Sequence, residues 1–219
     1  MTNRIVIFVV LLSLAVQAHT FWLRPQANGC SLHLGHDAAS DSYDRASLSE
    51  LQAYDVQGGL LTLQESFEPG RLQLLAPQAQ AFSLKADYGT WIKTIHGWRP
   101  GSKRDSQDRV LKSIWSVHYC KLVRLPACSL KLGLPLELVV SQPQGGQMQG
   151  QVLWQGRPQA DCSLYHEHEH LGKTDQEGRF QLNVPAGPYY NLSCEVEESL
   201  ENHPDAERKT TVGALTVVL

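Results

Sequence analysis

The chain has 219 residues and a formal net charge of −3, from 19 Lys and Arg against 22 Asp and Glu. Acidic and basic residues are interspersed along it, so there is no basic stripe of the kind that binds a phosphate backbone. The composition therefore argues against a nucleic acid as partner.

Residues 1–18 have the pattern of a secretory leader. Arg4 precedes an apolar run, Ile5 to Val16, which is shorter than the roughly 20 residues that a membrane-spanning helix needs. The run ends in Val16-Gln17-Ala18, a small-residue cleavage pattern. We expect a mature chain that begins at His19, is periplasmic or secreted, and has no membrane span.

An amino-terminal His19 is a candidate metal ligand. Its α-amine, with an ordinary pKa of about 7.7–8.0, and its imidazole, at about 6.5, both lose protons near neutral pH. Together they can chelate one ion with little ordering beyond the chain end and one side chain. The alternative is that His19 is exposed only by accident of where the peptidase cuts.

From Thr20 to about Val140 the sequence reads as short apolar runs broken by Gly, Pro, Asn and Asp. Such runs without a helical period are typical of β-sandwiches. In one stretch, Ala46 to Gln57, the pattern does not decide between a helix and a strand. The candidate strands are Phe21 to Leu23, Ser31 to Leu34, Leu72 to Leu75, Phe82 to Ala86, Thr90 to Ile95, Ser113 to Leu122 and Leu136 to Val140.

A cluster rich in Gln, Pro and Gly, residues 141–147, has the composition of a linker or wide turn. Beyond it, four segments alternate apolar and polar residues with period two, as in a small antiparallel sandwich. The sequence thus predicts an all-β protein of two antiparallel β-sandwich domains, residues 19–142 and 147–219.

Three histidines alternate with two glutamates in His166-Glu167-His168-Glu169-His170. An extended backbone would put the three imidazoles on one face and the carboxylates on the other. Three neutral imidazoles suit nickel, cobalt, zinc or copper, and affinity alone favours copper. The alternative is a solvated hairpin tip.

Four other histidines are weighed as ligands. His36 follows Gly35, and a glycine lets the chain turn sharply, so His36 is better placed than His33 to reach a site beside the amino terminus. His96 and His118 are weaker candidates, because a lone histidine in a strand is more often a hydrogen-bonded structural residue.

The five cysteines belong to a chain bound for an oxidising compartment, where disulfides are the default interpretation. Cys162 and Cys194 fall in two candidate strands of the second unit, and Cys120 and Cys128 flank a short connection. We therefore predict those two disulfides and a single thiol, Cys30. Metal ligation by these thiols is the alternative, but no CxxC spacing occurs.

The sequence contains no Gly-x-Ser-x-Gly, no paired acids in a recognisable motif and no phosphate loop. We therefore do not expect an enzyme. Asn191-Leu192-Ser193 fits a glycosylation pattern, but so short a match has a high false-positive rate.

The join of leader and mature chain, Ala18-His19-Thr20-Phe21-Trp22-Leu23-Arg24-Pro25, resembles the start of a family of exported bacterial proteins that open Ala-His-x-Phe/Leu-Trp-Leu/Ile-x-Pro. The likeness continues through residues 34–36, 116–123, 133–139 and 152–158. The second unit resembles the carboxypeptidase regulatory-like domain, a prealbumin-type sandwich, through Thr174-Asp175-x-x-Gly178-x-Phe180 and Pro185-x-Gly187-x-Tyr189.

The resembled family is associated with nickel or cobalt uptake, as a periplasmic companion of a membrane transporter. The resemblance supports His19 and His36 as ligands. Our leading hypothesis adds His166, His168 and His170, from their alternation with Glu, as a second collector. It implies a divalent metal as the bound species, nickel or cobalt before copper. Two rival hypotheses stay open: a copper oxidase or copper-binding protein built on the amino-terminal histidine, and a binding or scaffold module without metal.

Overall fold

A computed structural model describes residues 20–35, 41–68, 70–167 and 169–219. Its strands are β1 (Phe21–Gln26), β2 (Gly29–Leu34), β3 (Leu48–Tyr54), β4 (Leu60–Leu61), β5 (Gln64–Glu68), β6 (Arg71–Leu75), β7 (Ala81–Thr94), β8 (Gly97–Pro100) and β9 (Lys112–Arg124). They continue with β10 (Leu136–Val140), β11 (Gln147–Trp154), β12 (Arg157–Pro158), β13 (Ser163–His166), β14 (Glu169–Lys173), β15 (Arg179–Asn183), β16 (Tyr189–Ser199) and β17 (Arg208–Val218).

The predicted all-β class is confirmed. The helices among the described residues are two single 3-10 turns, Arg45–Ser47 and Ala127–Ser129. Within Ala46 to Gln57, where the sequence did not decide between a helix and a strand, the chain forms β3. The apolar residues there are too sparse to make the apolar stripe of a helix. No helix in the described part of the chain is long and apolar enough to cross a membrane.

The strands form three sheets. The central sheet has nine strands in the order β14-β13-β16-β17-β9-β7-β3-β4, with β8 also paired to β7. The amino-terminal sheet has the order β1-β2-β6-β5. In the carboxyl-terminal sheet, β11 pairs with β10, β12 and β15.

Side chains on the two faces of the central sheet belong to two separate hydrophobic cores. On β9, Cys120 and Leu122 belong to a core that also holds Phe21 of the amino-terminal sheet. The next residue, Val123, belongs to a second core, with Leu136 of the carboxyl-terminal sheet. Because successive strand residues point to opposite faces, the two outer sheets pack on opposite faces of the central one.

Strands from both predicted domains share the central sheet. Strand β17 runs parallel to β9 from Arg208↔Ile114 to Val218↔Arg124, an exception to the antiparallel pairing that was predicted. The predicted linker at 141–147 joins β10 to β11, which pair as a hairpin. The proposed division at 142–147 therefore does not separate the sheets.

The amino-terminal sheet is fixed to the central sheet at its β1–β2 turn. Arg124 Nη2 donates hydrogen bonds to the carbonyl oxygens of Gln26 (2.7 Å) and Gly29 (2.9 Å). Gly29 also packs so closely on β6 that an added Cβ would lie 1.9 Å from the Leu74 carbonyl oxygen. These contacts set the position of β1 and hence of the start of the described chain.

The predicted disulfides are absent, and all five cysteines are buried free thiols. Cys162 and Cys194 are neighbours: the Cys194 thiol lowers the pKa of Cys162, while burial and the Cys162 thiol raise the pKa of Cys194. Cys120 and Cys128 are also too differently placed to pair. Strand β9 continues past Cys120 to Arg124, and Cys128 lies in the following 3-10 turn, so Cys120 belongs to one core and Cys128 to the other.

Candidate metal site

The first described residues lie beside the end of β2. Strands β1 and β2 pair antiparallel with Phe21 opposite Leu34, and the Gly35 N–H donates to the Thr20 carbonyl oxygen at 3.2 Å. Gly35 has a φ of 111°, a backbone conformation that residues with a side chain rarely adopt. The two candidate ligands next to this point, His19 and His36, both lie outside the described residues.

A small pocket opens at this end of β1. Its volume is about 30 Å³, which is room for an ion or a few water-sized atoms rather than for an organic substrate. Its lining residues are Thr20, Trp22, Gly35, Glu167, Asn191, Leu192, Ser193 and Ala214. The pocket thus lies where the amino-terminal strand, the end of β2, the β13–β14 hairpin and strands β16 and β17 meet.

The His-Glu-His-Glu-His segment is a hairpin rather than a single strand. His166 pairs with Glu169 and Tyr165 with His170, so the chain reverses through a two-residue turn. Glu167, the first turn residue, has a φ of 52°. The second, His168, lies outside the described residues. The prediction of three imidazoles on one face was therefore wrong for His166 and His170, because the turn interrupts the alternation.

The rings of His166 and His170 lie on opposite sides of the central sheet. His166 Nδ1–H donates to the Asn191 carbonyl oxygen at 2.7 Å, and its ring stacks on Tyr190, whose side chain belongs to the carboxyl-terminal core. His170 contacts Tyr165, with ring centroids 5.3 Å apart. Tyr165 lies opposite Ser193, a pocket residue. His170 is thus on the pocket side, and His166 is not.

His33 and His118 are held in place by hydrogen bonds and aromatic contacts within the fold. Each bonds through Nε2 to the serine two residues earlier, Ser31 at 3.1 Å and Ser116 at 3.0 Å. His33 stacks on Trp22, and burial, assisted by nearby arginines, lowers the pKa of His33. His118 is fully buried, and its ring meets Phe21 edge to face at 5.3 Å. Neither histidine lines the pocket.

Burial of His118 gives a prediction about pH. It lowers the His118 pKa from 6.5 to about 3, so the folded protein takes up this proton only below about pH 3, whereas the unfolded chain takes it up below about 6.5. The contribution of neutral His118 to the free energy of unfolding is therefore complete at pH 7.5 and is lost as the pH falls below about 6.5.

We expect His118 to account for about 2 kcal/mol of lost stability between pH 7.5 and pH 5. His118→Gln should remove that part of the pH dependence. Urea unfolding at both pH values for the two proteins measures it. An equal loss of stability in the variant would show that His118 is not the group responsible.

Sequence reasoning assigned no role in a metal site to four pocket residues: Trp22, Glu167, Asn191 and Ser193. Alternation with the buried Tyr190, Leu192 and Cys194 places the two polar residues of β16 on the opposite face, but the covering of that face by β1 comes from tertiary packing. Among the residues that the structure describes, no three His, Cys, Asp or Glu side chains converge as a metal cluster.

Three comparisons place the chain among known proteins. Residues 16–198 match the family model described as a domain of unknown function, DUF4198. An uncharacterized protein of Haemophilus influenzae is 24% identical over 214 residues, which cover 94% of this chain and 93% of that protein.

A solved structure of fibronectin(III)-like modules of Clostridium thermocellum CbhA aligns with 94% of this chain and 92% of that one, at 10% identity and a TM-score of 0.24. Since the DUF4198 match covers most of the sequence, the chain belongs to the DUF4198 family.

Proposed function

We propose that the protein binds one divalent transition-metal ion, nickel or cobalt, at its mature amino terminus and assists uptake by a membrane transporter. The ligands in this proposal are the α-amine and imidazole of His19 together with His36. The observation that carries it is the pocket that has both Thr20 and Gly35 in its lining.

Chain connectivity links that pocket to the two histidines. Thr20 and Gly35 are the chain neighbours of His19 and His36, and the hydrogen bond between them holds the two backbones together. Consecutive Cα atoms are about 3.8 Å apart. A chelate at His19 therefore needs little further ordering to include a donor from His36.

The size of the pocket also supports an ion as ligand. A cavity of about 30 Å³ suits an ion with one or two waters and is small for the organic substrate of an enzyme. Nitrogen donors from imidazole and amine groups suit nickel and cobalt. The delivery step is drawn from the resemblance of the opening motif to exported proteins associated with nickel or cobalt uptake.

The role proposed for the hairpin histidines is narrower than the sequence suggested. His170 lies on the pocket side of the central sheet and stays a candidate collector, as does His168 from the sequence. His166 is left out, because its Nδ1 is bonded to the Asn191 carbonyl oxygen and its ring stacks on Tyr190.

Calorimetric titration tests the proposal. We expect the chain beginning at His19 to bind one Ni²⁺ or Co²⁺ per molecule near pH 7.5, and His36→Ala to weaken that binding at least about tenfold, or about 1.4 kcal/mol. His166→Ala is the matched control and should leave the affinity unchanged. Equal affinity of the His36→Ala and His166→Ala variants would contradict the proposed ligand set.

A further inference from the structure

The β7–β8 hairpin exposes aliphatic side chains to solvent. Ile95 and His96 form its two-residue turn, and Ile95 is 76% exposed, more than any other large hydrophobic residue in the described part of the chain. Leu111, 51% exposed, lies at the same end of the central sheet, because its N–H donates to the Lys93 carbonyl oxygen at 2.7 Å. Single exposed aliphatic residues are normal on a protein surface. Two at one end of a sheet form an apolar surface, which we call the aliphatic tip.

Basic residues are concentrated around the aliphatic tip. Residues 93–112 contain six Lys and Arg against two Asp, so this segment has a local net charge of +4 in a chain whose formal net charge is −3. The cluster is one short patch and not a stripe along the chain. Its basic residues are Lys93, Arg99, Lys103, Arg104, Arg109 and Lys112.

Half of these cations have no acidic partner. Ion pairs within the described part of the chain engage Arg99, Arg104 and Lys112. The other three, Lys93, Lys103 and Arg109, form none there.

The position of Lys93 adds to the unbalanced charge. Lys93 on β7 lies directly opposite Lys112 on β9, and like charges in that arrangement destabilise a sheet. Glu197 pairs with Lys112 at 2.6 Å, so Lys93 is the cation left without compensation. An anionic partner at this end of the sheet would offset the repulsion.

We propose that the aliphatic tip and its cations bind the surface of an anionic phospholipid bilayer. Ile95 and Leu111 then enter the boundary between headgroups and acyl chains, and the basic side chains contact the phosphates. A bilayer fits better than an acidic protein, because it offers hydrocarbon and phosphate over one surface, whereas acidic groups alone account only for the cations. The inference goes beyond the proposed metal binding and does not depend on it.

Co-sedimentation with lipid vesicles tests the proposal. The chain beginning at His19 is used without added metal, so that the apolar run of the leader contributes nothing. We expect vesicles of phosphatidylcholine with about 30 mol% phosphatidylglycerol to bind it at least about tenfold more tightly than vesicles of phosphatidylcholine alone. Raising the salt concentration to about 0.5 M should reduce the difference, because salt screens exposed charges.

Two variants separate the apolar from the electrostatic contribution. Ile95→Ser should lower the partition coefficient on the anionic vesicles at least about fivefold, since the aliphatic side chain no longer leaves water. Lys93→Gln should lower it about fivefold, since it removes one cation near the anionic surface.

Matched controls lie away from the aliphatic tip. Leu60 is 67% exposed and lies on β4 opposite Tyr54, which pairs with Ala81 at the far end of β7. Lys131 is an exposed cation in the loop before β10. Leu60→Ser and Lys131→Gln should each change the partition coefficient less than about twofold, because both residues lie well beyond a screening length from the tip.

Poly-glutamate is the comparison probe for an acidic protein partner. Binding to poly-glutamate as tight as to the anionic vesicles, and unaffected by Ile95→Ser, would overturn the assignment to lipid. Equal binding of the Ile95→Ser and Leu60→Ser variants to the anionic vesicles would overturn it as well, as would no binding by the unaltered chain. None of these outcomes bears on metal binding, which is measured separately.

Discussion

A single residue added ahead of His19 should weaken Ni²⁺ binding by about a hundredfold or more, equivalent to about 2.7 kcal/mol. The extension keeps the His19 imidazole but converts its α-amine into an amide, which is no longer a basic nitrogen donor. The bidentate chelate at the chain terminus is then lost. Calorimetric titration of the processed and extended proteins, side by side, measures the effect.

His19→Ala is the complementary variant, because it keeps a free amine and removes the imidazole. It should weaken binding to a similar extent, since both donors belong to the same chelate. The circular dichroism spectrum of each variant should match that of the processed protein. An extended protein that binds as tightly as the processed one would contradict the chelate.

The largest effect on folding is expected from Lys121→Met. Lys121 and Glu137 are each 2% exposed, and Lys121 Nζ lies 2.6 Å from Glu137 Oε1. Burial lowers the pKa of Lys121, and the adjacent carboxylate opposes that shift. Removing the ammonium leaves a buried carboxylate without its partner, which costs about 3–5 kcal/mol.

Glu137 also accepts hydrogen bonds from the backbone N–H groups of Leu132 and Gly133, so it holds the loop before β10 against β9. The double variant Lys121→Met/Glu137→Gln keeps one oxygen acceptor for one of those two groups and carries no buried charge. It should recover part of the lost stability in urea unfolding. If Lys121→Met costs less than about 1 kcal/mol, the buried pair is not a main support of this loop.

The period-two alternation predicted the all-β class because it reports directly which residues face a core. It did so for the apolar residues of β16, Tyr190, Leu192 and Cys194, which are all buried. It could not reveal which strands pair across long distances. The parallel pairing of β17 with β9 joins segments about a hundred residues apart, and this pairing unites the two predicted halves.

The same alternation misled at the hairpin histidines. A two-residue turn usually shows Asn-Gly or a similar signal, whereas the sequence between the paired His166 and Glu169 is Glu-His. Nothing in the local pattern separated this turn from a continuous strand. The Cys120–Cys128 prediction failed because nearness in sequence does not show that β9 runs on to Arg124 and that the turn after it places Cys128 in a different core from Cys120.

The candidate site was only partly predictable. The sequence marked His19 and His36 through the cleavage pattern and Gly35. The position of Glu167 in the pocket lining depends on packing of the β13–β14 hairpin beside the amino-terminal strand, more than 140 residues away in the chain. The local sequence pattern does not predict that contact.

The most direct test of a metal site at the amino terminus is anomalous diffraction from crystals of the chain beginning at His19, grown with Ni²⁺ and recorded at the nickel absorption edge. The account predicts one strong peak per molecule in the pocket lined by Thr20, Gly35 and Glu167. A peak confined to the His166 side of the central sheet, or no ordered nickel in the pocket, would contradict it.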